Sequence, residues 1–181
     1  LVSLAFDQSI NVVELKLSDP ERFNSMTPML LRDMRAALQH VRTAVADLRG
    51  LVIEGAGAHF CVGANHFLEK TLSSLPSLAT VTWERHAGMC GFWQLRELRA
   101  PLFCAVHGFL QGGAMSACFQ ADYRVSDAAA TFQHGNLSRG VCPVAGYSRT
   151  LQKAVGTRHA LAYYLTDQTI IATRALALGL V

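Results

Sequence analysis

An α/β fold is predicted by three features of this 181-residue chain. Apolar runs of strand length recur along it, two of those runs lead into glycine-containing turns, and one long stretch carries apolar residues at helical spacing. With 51% hydrophobic, 16% charged and 8% aromatic residues, the composition is that of a globular chain, long enough for one domain with a sizeable core.

Residues 10–17 alternate apolar Val13, Leu15 and Leu17 with Glu14 and Lys16, which predicts a half-exposed strand ended by a turn at Asp19-Pro20. Thr27 is then placed as an N-cap with Pro28 at the first helical position. Leu31, Met34, Leu38, Val41, Val45 and Leu48 follow at spacings of three and four, so an amphipathic helix is expected up to a stop at Gly50. Residues 51–54 (Leu-Val-Ile-Glu) predict a buried strand running into a turn, Gly55-Ala56-Gly57-Ala58-His59-Phe60-Cys61-Val62-Gly63-Ala64-Asn65. This turn lacks the third glycine of a dinucleotide loop, and a Phe-Cys-Val run stands where a helix would begin, which excludes that reading.

Residues 73–82 are rich in Ser, Thr, Leu and Pro and read as a surface or lid segment before a helix near residues 83–98. Residues 101–106 form another apolar strand candidate. After it, His107 to Asp122 holds the paired glycines Gly112-Gly113, then small and apolar residues suited to a helix. Such a helix start presents free backbone N–H groups and favours negative charge. Short strands are expected at 123–126 and 131–133, and helices at 145–154, 158–165 and 172–178. Strand, turn and helix units thus recur without the sequence repeat of a solenoid.

The formal charge is only +3, with Lys and Arg scattered along the chain, so nucleic-acid binding gains no support. Cys61, Cys90, Cys104, Cys118 and Cys142 form no C-x-x-C pair and no metal-ligand spacing. They read as reduced, mostly buried thiols of an intracellular protein, cytoplasmic or organellar, with no metal. No run is long enough to span a membrane and no signal sequence is visible, so no membrane partner is expected.

Five ordered segments resemble the crotonase (enoyl-CoA hydratase/isomerase) superfamily. Asp19-Pro20-Glu21-Arg22-Phe23-Asn24-Ser25-Met26 is similar to its P-E-R-x-N-A/S run, Phe60 to Asn65 to F-x-A-G-A-D, and His107 to Asp122 to N-G-x-x-x-G-G-G-x-x-L-A-x-x-C-D. The run from Gly140-Val141-Cys142-Pro143 to Leu151 is similar to G-x-x-P-x-x-G, and Leu165-Thr166-Asp167 to Gly179-Leu180-Val181 resembles the motif L-T-G-D through G-L-V. The resemblance implies a crotonase-like spiral of β-β-α units. It also implies that residues 1–181 are a single domain of a longer chain, whose C-terminal helices lie beyond Val181.

By the same match, Ala64 and Gly113 supply two backbone N–H groups to the carbonyl oxygen of an acyl thioester, on which an enolate forms. Losing one such donor costs on the order of 3 kcal/mol in the transition state. The substrate itself would carry coenzyme A or phosphopantetheine, so no separate cofactor is expected. A homotrimer or dimer of trimers is the assembly the family implies.

The positions of the two hydratase glutamates hold Ser116 and Asn136, neither of which can exchange protons near neutral pH. Three other side chains are candidates to replace them. His134 could share a face with Asn136 if that segment is extended. His66 follows the first turn, and Tyr147 stands where the family more often has glycine. Trp83, Phe92 and Trp93 are candidate pocket walls, His107 is expected to support its turn, and Asp122 to serve a structural role. Gly146-Tyr147-Ser148-Arg149-Thr150 nearly matches a nucleophile elbow but ends in Thr.

Adding water across a double bond needs both a base and an acid, whereas loss of carbon dioxide generates an enolate without a base. The expected function is therefore enolate chemistry on an acyl-CoA or acyl-carrier-protein thioester, with decarboxylation of the polyketide β-branching type favoured. The alternatives are a residual hydratase or isomerase using His134, and a thioester-binding or assembly domain without catalysis.

Overall fold

A computed structural model describes residues 1–64 and 91–181, the side chain of Trp93 apart. Strands β1 (Val2–Asp7) and β2 (Val12–Leu17) form an antiparallel hairpin. Helix α1 (Pro28–Ala44) then leads to β3 (Gly50–Gly55), and a 3-10 segment (Gly91–Glu97) precedes β4 (Leu102–Val106). Next come β5 (Phe109–Gln111), α2 (Gly113–Cys118), β6 (Tyr123–Ser126) and β7 (Thr131–Gln133). The described chain closes with α3 (Tyr147–Val155), α4 (Thr157–Thr166), β8 (Ile170–Ile171) and α5 (Ala172–Leu178).

The larger sheet has the order β1-β2-β3-β4-β6, with β2, β3, β4 and β6 mutually parallel. A smaller sheet, β5-β7-β8, is tied to the loop after β3 by a parallel bridge between Cys61 and Leu110. Val13, Leu15 and Leu17 of β2 face the core together with Leu51 and Ile53 of β3, as period-two alternation requires. α1 covers them with Leu30, Leu31, Met34, Leu38 and Val41, its start fixed by Thr27, whose hydroxyl accepts from Leu30 N at 3.1 Å.

Three expectations are corrected. α1 ends at Ala44 rather than near Leu48, because Arg49 N donates to Asn11 O and Gly50 already pairs opposite Val12. Gly50 is thus the first residue of a strand, not a helix stop. β5 intervenes between β4 and the glycine pair, where a direct turn into helix was expected. Of the helix expected near residues 83–98, the described part winds as 3-10, and its Phe92 is fully buried in the core rather than on a pocket wall. The lid reading of residues 73–82 and the pocket-wall readings of Trp83 and of the Trp93 side chain fall outside the described residues. Among the described residues no helix is long and apolar enough to cross a membrane, and no group of three His, Cys, Asp or Glu is placed to hold a metal ion.

Candidate functional site

The turn after β3 is held by one buried side chain. Asn24 sits in the left-handed region at φ 52°, and its Nδ2 donates to the carbonyls of Ala56 (2.8 Å), His59 (2.8 Å) and Phe60 (3.1 Å). Its Oδ1 accepts from Asp19 N at 2.8 Å, and its own carbonyl accepts from the Cys61 thiol at 2.8 Å. Met26 N adds a bond to Gly63 O at 2.8 Å. The segment around Asn24 is therefore a clamp whose product is the conformation of residues 56–63.

The second turn is locked onto the first. Phe60 N donates to His107 O (2.9 Å), Cys61 N to Phe109 O (3.3 Å) and Gln111 N to Cys61 O (3.2 Å), while His107 Nε2 lies 3.0 Å from Gly57 O. His107 thus supports the turn, as expected. The turns also pack closely at Gly63, which has φ +80° and where a Cβ would lie 2.6 Å from Gln111 O and 3.5 Å from Gly112 Cα. Gly112, at φ +59°, is the N-cap of α2 and donates its N–H to Gln133 O at 3.3 Å.

The Gly63 backbone consequently packs close to Gln111 and Gly112, and the next residue of each turn is Ala64 and Gly113 respectively. Ala64 is exposed and Gly113 half-buried. Among the described residues neither backbone N–H donates to an acceptor.

The candidates for proton transfer are held elsewhere in their surroundings. Ser116 is buried on α2, where its hydroxyl donates to Gly113 O at 2.6 Å; it is spent on its own helix. β7 ends at Gln133 and Gly135 turns away at φ +71°, so the extended segment that would align His134 with Asn136 does not exist. Asn136 is buried with its Oδ1 unpartnered.

His134 is only 1% exposed. Its ring stacks on Tyr147 with centroids 4.6 Å apart and meets the edges of Tyr163 at 5.8 Å and Tyr164 at 4.9 Å. Burial lowers its pKa to about 4, against the opposing pull of the Asp167 carboxylate and the Asn136 side chain, so the imidazole is neutral near pH 7. Tyr147 is buried too, its hydroxyl without a partner and its pKa raised by burial. His66 lies outside the described residues.

Sequence reasoning passed over Asp167 as a positioning group. At the left-handed C-cap of α4, its carboxylate accepts from Gly135 N at 2.5 Å and Ser138 N at 3.0 Å, and its carbonyl from Gln133 Nε2 at 3.0 Å. Burial alone would raise its pKa, but the bonds from Ser138 and Gly135 hold it below the usual carboxylate value. The signal was the Thr166-Asp167 pair, whose partners are distant in sequence. Asp122 is structural as expected: Oδ2 accepts from Leu102 N at 2.9 Å and Oδ1 from Arg96 Nη1 at 3.0 Å. Ser148 is exposed on α3 behind the left-handed Gly146, with no strand leading into it, so the elbow reading fails.

Comparison with known proteins agrees with this architecture. The enoyl-CoA hydratase/isomerase family matches residues 7–181. A probable enoyl-CoA hydratase of Mycobacterium tuberculosis is 29% identical over 177 residues, covering 94% of this chain and 61% of that protein. A fatty acid oxidation complex subunit alpha of Idiomarina loihiensis is 31% identical over 168 residues, covering 93% of this chain and 23% of that protein. The crystal structure of a probable enoyl-CoA hydratase/isomerase from Mycobacterium abscessus superposes with a TM-score of 0.86 at 26% identity, covering 99% of this chain and 67% of that one. This chain therefore spans about 61% of the length of the mycobacterial relative that it matches.

Proposed function

This chain belongs to the enoyl-CoA hydratase/isomerase family, and on that premise we propose that it binds an acyl thioester with the carbonyl oxygen between the backbone N–H groups of Ala64 and Gly113. The observation that carries the reading is the close packing of Gly63 against Gln111 and Gly112. On this reading it brings the two following N–H groups towards one oxygen, and neither has an acceptor among the described residues. Donors fixed by the surrounding backbone need no reorganisation when charge develops on the oxygen, which is the basis of their catalytic effect.

The chemistry proposed is enolate formation by loss of carbon dioxide from a carboxylated acyl thioester, carried by coenzyme A or an acyl-carrier protein. In a glutaconyl-type substrate the bond to the terminal carboxylate breaks and its electron pair moves through the conjugated chain onto the thioester oxygen. Carbon dioxide leaves and one proton from solvent restores a neutral acyl chain. Support comes from the side chains: Ser116 is committed to Gly113 O and His134 is closed in by tyrosines, so neither is an accessible acid or base.

The test is mass spectrometry of thioesters incubated with the protein. Loss of carbon dioxide from glutaconyl-CoA, with crotonyl-CoA unchanged, is the expected result. Hydration of crotonyl-CoA would overturn the decarboxylase reading, and binding without any product across an acyl panel would overturn catalysis itself.

A further inference from the structure

α2 begins at the glycine pair, and its far end, about 9 Å away along a six-residue helix, opens onto a separate groove of about 730 Å³. Arg96, Arg99, Arg124, Lys153, Asp122 and Tyr123 line it. Four cations against one carboxylate leave a net positive charge equal to that of the whole chain, +3. The remainder of the molecule is thus formally neutral, with four of the sixteen Lys and Arg residues sharing this one surface. Charge of one sign in a cleft raises the local concentration of counter-ions.

The four cations are not equivalent. Arg96 is paired with Asp122 at 3.0 Å, and Arg124 is fixed by Leu180 O (2.8 Å), Ala121 O (3.0 Å) and the face of Phe119 (4.9 Å to the ring centroid). Both are therefore held in place as parts of the wall. Arg99 and Lys153 are exposed and have no ion-pair or hydrogen-bond partner among the described residues. Tyr123, 61% exposed, is braced from behind by Phe103 in a stacked pair with centroids 5.3 Å apart. Such a surface combines two uncommitted cations, a rigid guanidinium wall and a supported aromatic ring.

We propose that this groove is a second ligand site, for a phosphorylated small molecule whose phosphate lies between Arg99 and Lys153, separate from the thioester site at the glycine turns. Arginine and lysine together supply the forked and point-charge donors that a phosphate accepts. The proposal does not depend on the thioester reading.

Calorimetric titration of the whole chain with pyrophosphate, and separately with ADP, tests it. Binding is expected to weaken with salt and to fall roughly tenfold or more in the Arg99→Ala/Lys153→Ala variant. If the aromatic ring takes part, ADP binds tighter than pyrophosphate and Tyr123→Ala removes only that difference; equal binding of both assigns the site to the phosphate alone. Binding unchanged in the double variant, an absence of binding to either probe, or competition between pyrophosphate and a phosphate-free acyl-pantetheine thioester would each overturn the proposal. A matched unfolding midpoint for the variant shows that the loss is local.

Discussion

Replacing Asn24 by alanine removes the clamp on the first turn, and its cost can be worked from the hydrogen bonds. The two hydrogens of Nδ2 serve three carbonyl oxygens, and Oδ1 takes the Asp19 N–H, so about three full bonds are lost. At roughly 1 kcal/mol each, this amounts to about 3 kcal/mol. Holding alanine at φ 52° adds up to about 1 kcal/mol, because alanine lacks the short polar side chain whose local hydrogen bonds let asparagine adopt that region. Urea unfolding is expected to show a loss of about 4 kcal/mol at an unchanged m-value. Asn24→Gly lacks the conformational strain but loses the same bonds, which predicts a smaller loss of about 3 kcal/mol. A loss below about 1 kcal/mol in the alanine variant would mean that water satisfies the carbonyls at no cost, and the clamp argument would be wrong.

The glycine contact gives a sharper local test: Gly63→Ala drives a Cβ to 2.6 Å from Gln111 O at a φ of +80°, so acyl-thioester binding should weaken at least roughly tenfold. Wild-type affinity by titration calorimetry would refute the close approach. His134 predicts a pH dependence. Its folded pKa of about 4 lies below the ordinary 6.5, so the unfolded chain takes up the proton first, and stability is complete above pH 6.5 and lost as pH falls from there towards 4. The full loss is about 3 kcal/mol; a His134→Phe variant, measured by thermal unfolding across that range, should lack this component. If both proteins track each other with pH, burial of a neutral imidazole is not what the cluster contributes. Asp122→Asn should cost under about 1 kcal/mol, since the pair with Arg96 is exposed and the Leu102 N–H bond can persist. A larger loss in urea unfolding would show that the ion pair matters more than the backbone bond.

Much of the fold was legible because it rests on local pattern. The alternation in β2, the spacing in α1 and the apolar runs of β3 and β4 each place a buried face without reference to any distant residue. β1 was missed although Val2, Leu4 and Phe6 alternate, because an edge strand paired on one side leaves those side chains largely exposed and the signal weak. The end of α1 was misplaced for a different reason. Val45 and Leu48 keep the helical spacing, but pairing of Arg49 and Gly50 beside β2 pulls the chain out of the helix, and only the tertiary partner reveals that.

At the candidate site, the same division separates backbone from side chain. A Cβ at 63 would lie 2.6 Å from Gln111 O, and the φ 59°, ψ −127° backbone of 112 is essentially confined to glycine, so glycines in the paired turns could be anticipated from sequence. A histidine does not announce its proton affinity. His134 entered as an ordinary imidazole able to work near neutral pH, and the packing of Tyr147, Tyr163 and Tyr164 around it sets both its pKa and its closure from solvent. A group of pKa about 4 would match a carboxylate in basicity, yet at 1% exposure it can reach a substrate proton only if the tyrosines move apart. With Ser116 turned onto its own helix, the proposed thioester site would rest on backbone donors. That is the ground for proposing a reaction that generates its enolate by loss of a carboxylate over one needing a base to begin.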